Sequence, residues 1–399
     1  MPNFLAFVLG KNPELSIAEI VSYLDSRKIG FSIATKEKEF LIIDFHDPAR
    51  YPEIKIDELG GTLKICPIFI GSAQFSASMV HTEAFFDLSK KSVNFGISLY
   101  NVKNWDEIRQ YLERYLKAQL RENRIKAGYI KTPGSSAAFT HTDVINKKLL
   151  QDAEIAIFYS NGRYYIGKTD SVHNPFEFRK RDLERPEQRA IFSIPPRLAK
   201  IMVNLTGINE GIILDPFCGI GTILQEAAIN GFEIRGVDLD KSCITSAIKN
   251  FGWLKKEYSL ELKELDKKII PGDSRHLSKY FEKESIDGIA TEPYLGPPLK
   301  ARTERQKVEK IIGGLTELYS KVLSECHKVL KPRRRVCIVS PRIKVWDKNF
   351  SLNIPEICIK TGFKQVNILS KCKIKSDFPL IDGEDRHRLI REINVLEKI

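Results

Sequence analysis

The chain has 399 residues, of which 42% are hydrophobic and 29% are charged, a balance that is ordinary for soluble globular proteins. At roughly 150 residues a domain, this length predicts two or three domains. Lysine and arginine together number 63 against 51 acidic residues, and the resulting charge of +12 favours an anionic partner such as nucleic acid. Charge alone is weak evidence, because a basic surface exposed to solvent, without an anionic partner, is the alternative interpretation.

Several classes of protein are excluded by the sequence. Residues 1–10 lack the basic region and long apolar stretch of a signal peptide. The longest uncharged run, residues 65–82, is interrupted by Pro67 and polar residues, which argues against a membrane span. The seven cysteines are dispersed without a CxxC pair, which argues against a disulfide framework or a zinc site. We therefore expect a cytoplasmic protein with no metal and no membrane contact.

The first 170 residues predict two small α+β units. In the first, a helix starts at the capping-box spacing Ser16–Glu19, and strands are predicted at 4–9, 31–34 and 39–45. In the second, apolar residues at helical spacing predict a helix over 108–120, and strands are predicted at 93–100, 153–159 and 164–169. Asn161-Gly162 between the last two strands is a hairpin signal.

The remainder of the chain changes character twice. Residues 174–196 are rich in arginine and proline and predict a basic, proline-broken connector that includes Arg181, Arg185 and Arg189. Strands and helices then alternate. The predicted helices are 198–205, 222–230, 242–253 and 304–330, and the predicted strands are 211–214, 233–237, 268–271, 287–291 and 335–340, with a closing antiparallel pair at 363–369 and 389–396. Such alternation predicts a parallel sheet with helices on both faces.

A glycine loop follows the strand that begins this alternation. The candidate ligand-binding residues there are Asp215, Pro216, Cys218, Gly219, Gly221 and Thr222. Glycines let the backbone approach a ligand closely, and α/β folds bind ligands at the carboxyl ends of their strands. The third glycine of a dinucleotide fingerprint is replaced by Leu224, and the chain has no phosphate-binding P-loop. A tight turn without a ligand is the alternative interpretation.

Two further acids stand at successive strand ends, Asp238 and Asp273, and Ser274 follows the second. A carboxylate at the end of the second strand can accept the hydroxyls of a ribose. Each acid taken singly is more often a helix cap. Taken in order with the glycine loop, they favour a nucleoside cofactor without a pyrophosphate, which is S-adenosylmethionine.

The fourth predicted strand ends in Thr291-Glu292-Pro293-Tyr294. An exocyclic amine on a nucleobase is a poor nucleophile because its lone pair is delocalised into the ring. A carboxylate and a backbone carbonyl that accept its hydrogens would favour the reactive form, and an aromatic ring can stack on a flipped base. A proline-rich loop with no chemical role is the alternative.

These motifs resemble those of a known family. Residues 215–222 resemble motif I of class I Rossmann-like methyltransferases, and residues 291–294 are similar to the Asp/Asn-Pro-Pro-Tyr/Phe motif IV of amino methyltransferases that act on nucleic acid. Residues 8–16, 181–186 and 193–199 resemble segments of the archaeal-type THUMP-domain tRNA guanine-N2-methyltransferases.

The resemblance implies a class I S-adenosylmethionine-dependent Rossmann-like methyltransferase domain preceded by α+β ferredoxin-like and THUMP domains. The implied boundaries are 1–65 for the ferredoxin-like domain, 66–172 for the THUMP RNA-binding domain, 173–196 for a linker and 197–399 for the methyltransferase domain. The implied reaction moves a methyl group from S-adenosylmethionine to the N2 amine of a guanosine in tRNA, at position ten or, as second choice, position six. We expect the enzyme to act as a monomer.

Two alternatives remain open from the sequence. One is an amino methyltransferase acting on ribosomal RNA guanine or DNA adenine, and the other is a non-catalytic RNA-binding protein with a degenerate methyltransferase fold. The second is supported by a departure in motif IV, where a single proline separates Glu292 from Tyr294. Either Glu292 or Thr291 then takes the place of the family's acid. We favour Glu292 with Pro293 and Tyr294 as the catalytic set, because threonine carries no charge.

Basic residues on and after the helix over 108–120 are candidates for phosphate contacts. They are Arg109, Arg114, Lys117, Arg121, Arg124 and Lys126.

Overall fold

The computed structural model describes residues 3–188, 194–299, 303–345, 348–372, 374, 378–384 and 387–399. The chain divides into two compact units. The first unit comprises residues 1–13, 29–57 and 61–177, and the second comprises 14–28, 58–60 and 178–399. The helix α1 (Pro13–Ser26) therefore belongs almost entirely to the second unit, although it precedes most of the first in the chain. In the described residues, no helix has the length and apolar character to span a membrane.

A nine-stranded sheet forms the first unit. Its strands are β1 (Phe4–Leu9), β2 (Phe31–Lys36), β3 (Phe40–Phe45), β4 (Thr62–Ser72), β5 (Ser92–Tyr100), β6 (Lys126–Tyr129), β7 (Ala153–Ser160), β8 (Arg163–Lys168) and β9 (Ser171–Val172). Their order is β2-β3-β1-β4-β8-β7-β5-β6, and β9 pairs with β4. All six strands predicted in this part of the chain are present, and a hairpin turn at Asn161 and Gly162 joins β7 to β8.

Strand β4 was not predicted from the sequence. Its apolar residues run on without the polar alternation that marks a half-buried strand, and Pro67 interrupts them. In the structure β4 pairs with β1 on one side and with β8 on the other. Both of the predicted N-terminal α+β units therefore contribute strands to one continuous sheet.

The helices of the first unit are α2 (Thr82–Phe85), α3 (Trp105–Glu122) and α4 (His141–Asn146). Helix α3 buries Leu112, Leu116 and Leu120 in the core that lies on β5 and β7. Arg109 lies on the same buried face and donates to Thr132 Oγ1 at 2.7 Å and to the Ser136 carbonyl at 2.8 Å. The suggestion that Arg109 contacts phosphate is therefore wrong, because its guanidinium is hydrogen-bonded to a loop within the first unit.

The second unit is an α/β fold. After α1 its helices are α5 (Pro175–Leu183, whose first three residues belong to the first unit), α6 (Pro196–Leu205), α7 (Thr222–Ile229), α8 (Lys241–Glu257), α9 (Leu265–Lys268), α10 (Arg305–Val329) and α11 (Ile354–Thr361). Its strands are β10 (Ile212–Asp215), β11 (Glu233–Asp238), β12 (Ile269–Pro271), β13 (Gly288–Thr291), β14 (Arg335–Val345), β15 (Lys348–Ser351), β16 (Phe363–Gln365), β17 (Leu380–Asp382) and β18 (Leu389–Lys398).

The sheet order of the second unit is β12-β11-β10-β13-β14-β18-β16. The five strands from β12 to β14 are mutually parallel, and β18 is antiparallel to both β14 and β16. The predicted parallel sheet with a closing antiparallel pair is confirmed. Strands β10, β11, β12 and β13 are neighbours, so their carboxyl ends form one continuous edge.

Two segments of the second unit differ from prediction. The connector predicted at 174–196 contains α5, because Pro175 begins the helix and Pro186 stands beyond its end. Arg189 and Ser193 of that connector lie outside the described residues. The strand predicted at 363–369 stops at Gln365, since the Asn367 side chain accepts from the Leu369 N–H at 3.1 Å and turns the chain into a 3-10 helix.

Helix α1 is tied into the second unit by a buried polar network. The Glu19 carboxylate is fully buried and accepts the Gly60 N–H and the Asn204 Nδ2–H, both at 2.7 Å. Ser22 Oγ donates to the Asn204 carbonyl oxygen at 2.8 Å. The network joins α1 to a short segment before β4 and to α6, so three distant parts of the chain meet at one carboxylate.

Candidate active site

The glycine loop leads from β10 to α7. Gly219 and Gly221 have φ angles of +52° and +90°, a region that favours glycine. A Cβ atom at Gly221 would lie 3.0 Å from the Phe251 ring, whereas no described atom lies within 4 Å of the position that a Cβ at Gly219 would take. The backbone at Gly219 therefore borders open space, as close approach of a ligand requires.

Burial keeps the pKa of the Cys218 thiol well above its usual range, which argues against a nucleophilic role.

Asp238 ends β11 and binds the glycine loop directly. Its Oδ2 accepts the Gly219 N–H at 2.8 Å, and its Oδ1 accepts the Asp240 N–H at 2.9 Å. Each oxygen keeps a further acceptor site, so the fixed carboxylate can bind a pair of hydroxyls. Leu239 beside it is 73% exposed, and sequence reasoning missed it. An apolar residue between two aspartates in a turn was the signal that could have found it.

Asp273 and Ser274 follow β12 at the same edge. The Asp273 carboxylate is paired with Arg275 Nη2 at 2.6 Å, and this hydrogen-bonded guanidinium lowers the pKa of Asp273 to about 2. Ser274 is buried, and its hydroxyl donates to the Pro216 carbonyl oxygen. Asp273 therefore remains ionised near neutral pH, and Ser274 fastens the third strand end to the glycine loop.

Asp215 and Thr291 form a buried pair at the ends of β10 and β13. Thr291 Oγ1 donates to Asp215 Oδ1 at 2.7 Å, and the Phe217 N–H donates to the same oxygen at 3.0 Å. Burial raises the pKa of Asp215 to about 7 in spite of these donors. Thr291 is fully buried, and its hydroxyl is committed to Asp215.

Glu292 lies one residue beyond β13 and is ion-paired with β18. Arg391 Nε donates to Glu292 Oε1 at 2.6 Å, and 11% of the Glu292 side chain is exposed. Burial raises the pKa of Glu292 even though Arg391 opposes this effect. Pro293 is buried, while Tyr294 is 54% exposed. Arg391 was missed, since it lies 99 residues away in the chain without a motif around it.

Basic residues of the connector contact α7, the helix that follows the glycine loop. Arg185 Nη1 donates to Thr222 Oγ1 at 2.7 Å, and Arg181 forms a buried ion pair with Glu226 of α7 at 2.5 Å. These two arginines therefore stabilise the first turns of α7 within the protein. The prediction of a basic connector overlooked this role, because the acid and hydroxyl partners are 37 to 45 residues away.

The structure thus brings the predicted site residues to one edge of the sheet. The residues at or after the ends of β10, β11 and β12 are Asp215, Pro216, Cys218, Gly219, Gly221, Thr222, Asp238, Asp273 and Ser274. Those that follow the adjacent strand β13 are Glu292, Pro293 and Tyr294. No group of three or more metal-binding side chains is present in the described residues.

Comparison with known proteins identifies the family. The UPF0020 model, an RMKL-like methyltransferase domain, matches residues 186–368. A probable tRNA (guanine(10)-N2)-dimethyltransferase of Methanothermococcus thermolithotrophicus is 31% identical over 127 residues, which are 31% of this chain and 74% of that protein. The chain belongs to the tRNA (guanine(10)-N2)-dimethyltransferase family.

Two longer members of this family match over a smaller share of their length. The tRNA (guanine(10)-N2)-dimethyltransferase of Methanothermobacter thermautotrophicus is 33% identical over 200 residues, covering 48% of this chain and 53% of that enzyme. The Pyrococcus abyssi enzyme of the same name is 26% identical over 201 residues, covering 50% of this chain and 55% of that enzyme. The match therefore spans about half the length of these relatives.

A solved structure supports the fold along the whole chain. The crystal structure of TrmN from Thermus thermophilus superposes with a TM-score of 0.50 at 16% identity and covers 99% of both chains. At this identity the likeness concerns the fold alone. It confirms the predicted combination of a Rossmann-like α/β domain with an N-terminal α+β part.

We expect Asp238→Ala to weaken binding of S-adenosylmethionine by at least about tenfold, because a lost charged hydrogen bond costs about 1.5–3 kcal/mol. Isothermal titration calorimetry on the purified protein measures this directly. Asp266→Ala, which removes an exposed aspartate from α9, is the matched control and should bind like the wild type. Unchanged affinity in the Asp238 variant would remove this residue from the cofactor site.

Proposed function

We propose that this protein is an S-adenosylmethionine-dependent tRNA methyltransferase that modifies the exocyclic N2 amine of guanosine 10. The observation that carries the proposal is the placement of a glycine loop, Asp238 and Glu292 at neighbouring strand ends of one parallel sheet. The relatives named above are tRNA (guanine(10)-N2)-dimethyltransferases, and we extend that substrate and that site to this chain.

The residues around the glycine loop fit this cofactor. Asp238 offers a carboxylate already oriented by two backbone N–H groups, which suits the two ribose hydroxyls. The exposed Leu239 suits one face of the adenine ring, and the buried Asp215 suits the charged methionine end. When bound, S-adenosylmethionine supplies an electrophilic methyl group.

Glu292 and its neighbours would prepare the guanine amine. The amine carries two hydrogens. The Glu292 carboxylate can accept a hydrogen bond from one of them, and the backbone carbonyl oxygen of Pro293 can accept a hydrogen bond from the other. Acceptance by a carboxylate concentrates the lone pair on nitrogen and gives a destination for the proton that the amine must lose. The exposed Tyr294 ring is placed to stack on a guanine that has left its helix.

The first unit and the positive charge of the chain support binding of tRNA. We propose the boundaries 1–65 for a ferredoxin-like domain, 66–172 for a THUMP domain, 173–196 for a linker and 197–399 for the methyltransferase domain. The remaining candidates for phosphate contacts, on and after α3, are Arg114, Lys117, Arg121, Arg124 and Lys126, and the protein would act as a monomer in the cytoplasm. Phosphate contacts make binding fall steeply with salt, by nearly one log unit per contact per decade of salt concentration.

The proposal is tested by incubating the protein with S-adenosylmethionine and unmodified tRNA transcripts and then analysing the nucleosides by mass spectrometry. We expect N2-methylguanosine and N2,N2-dimethylguanosine in a transcript with guanosine at position ten, and a loss of at least about 100-fold when adenosine replaces it. A transcript with adenosine at position six is the control. Full incorporation into the transcript lacking guanosine at position ten would overturn the assigned site, and no incorporation into any tRNA would overturn the function.

A further inference from the structure

The described part of the loop that follows β13, residues 292–299, is contacted near both of its ends by arginines of the C-terminal strand region. Arg391 binds the Glu292 side chain at the start of the loop, and Arg388 Nη1 donates to the Leu299 carbonyl oxygen at 3.2 Å. We propose that Arg391 is a positioning residue, which fixes Glu292 through Oε1 and leaves Oε2 to accept a hydrogen from the substrate amine. This inference rests on the proposed amine methylation.

The need for such a residue arises from the position of the acid. The strand-end side chain, Thr291, is fully buried and hydrogen-bonded to Asp215. The acid therefore stands one residue further along, in a loop, on a side chain that is one methylene longer than aspartate. A glutamate with free rotamers loses conformational entropy when it is ordered for reaction. An ion pair made before the substrate arrives removes that cost from the reaction step.

Arg391 is well placed to impose this order. It lies in β18, opposite Pro341 of β14, within an uninterrupted antiparallel pairing. A second acid, Asp382 of β17, lies 3.8 Å from its Nη1 atom, so a second carboxylate also attracts the guanidinium. Among the described residues, the hydrogen bonds of Glu292 involve Oε1, and none uses Oε2. One oxygen is thus anchored to a rigid strand while the other remains available.

The charged groups around Glu292 affect its pKa, so the contact with Arg391 can be measured by titration. The groups that face Glu292 are Arg391 and Asp382 in the C-terminal strands, Asp215 at the end of β10, and Tyr319 on α10, whose hydroxyl donates to the Val339 carbonyl oxygen. Arg391 lowers the pKa of Glu292, whereas burial and Asp382 raise it. Loss of Arg391 should therefore raise the pKa of Glu292, and loss of the Asp382 charge should lower it.

The direct experiment is a carbon-13 NMR titration of glutamate carboxyl groups in the free protein, with the Glu292 signal assigned by its disappearance in Glu292→Gln. We expect Arg391→Gln to move the Glu292 midpoint upward by on the order of one pH unit. Arg391→Lys should restore the midpoint in part, and Asp382→Asn should move it downward. Lys348→Gln, which removes an exposed positive charge from β15, is the control for a general change of charge.

The matched activity measurement is the pH profile of kcat for tRNA methylation. The acid limb of the profile should move to higher pH in Arg391→Gln, with kcat at pH 7 reduced at least about tenfold and with unchanged affinity for S-adenosylmethionine. If the Arg391→Gln and Asp382→Asn midpoints both equal that of the wild type, the inference is wrong even where methylation is intact. If the Arg391→Gln variant does not fold, the Glu292 midpoints of Arg391→Lys and Asp382→Asn are compared with that of the wild type instead. Midpoints equal to the wild type in both variants would then overturn the inference. A wild-type protein without methylation activity would instead refute the proposed function.

Discussion

The Glu292→Gln variant is expected to methylate tRNA at least about 100-fold more slowly than the wild type, with its Kd for S-adenosylmethionine within about twofold. Glutamine keeps the length of the side chain and a carbonyl acceptor but carries no charge and cannot take up the amine proton. The defect should appear in kcat under saturating tRNA and cofactor, because the interaction is made at the reacting nitrogen. Single-turnover transfer of labelled methyl groups measures it.

Thr291→Val is the matched variant at the neighbouring position. It keeps the size of the side chain and removes the hydroxyl that donates to Asp215. We expect a modest loss of stability, about 1 kcal/mol, and a much smaller loss of kcat than in the Glu292 variant. An inactive Thr291 variant together with an active Glu292 variant would show that threonine, rather than glutamate, occupies the catalytic position. Full activity in both would place the chemistry elsewhere.

The Glu19→Ala variant is expected to lower the free energy of unfolding of the second unit by roughly 3 kcal/mol or more. The substitution leaves the Gly60 N–H and the Asn204 amide buried without their carboxylate acceptor and opens a cavity in a fully buried position. Urea unfolding followed by circular dichroism, fitted separately for each transition, gives the change.

Glu14→Ala on the same helix is the control for this prediction. Glu14 is exposed in the first turn of α1, so its loss should cost less than about 1 kcal/mol through the helix dipole alone. Equal losses in the two variants would mean that the Glu19 network contributes no more than a surface charge does.

The parts of the site that the sequence predicts are local. Gly219 and Gly221 lie within a few residues of Asp215, and Asp238 closes the next strand, so a strand-loop-helix pattern is enough to find them. Their convergence follows from a general rule, since parallel strands joined by helices present their carboxyl ends at one edge. For the same reason the parallel sheet itself could be predicted from the alternation of elements.

The contacts that could not be predicted join distant parts of the chain. Arg391 meets Glu292 across 99 residues, and Arg181 meets Glu226 across 45. Nothing in the local composition distinguishes these arginines from solvated ones. Helix α5 was hidden for another reason, because its basic residues and flanking prolines resemble a connector, and its buried ion-pair partner on α7 is distant in the chain.

The place of α1 in the second unit has a consequence for how the protein is made. The Glu19–Asn204 contact spans 185 residues, so α1 leaves the ribosome long before α6 exists. At about 5–20 residues per second, the delay is about 10–40 seconds. During that time the side chains from Leu15 to Leu24, which are buried in the finished protein, have no partner from α6. The second unit can therefore bring α1 into its final contacts only after α6 has been synthesised.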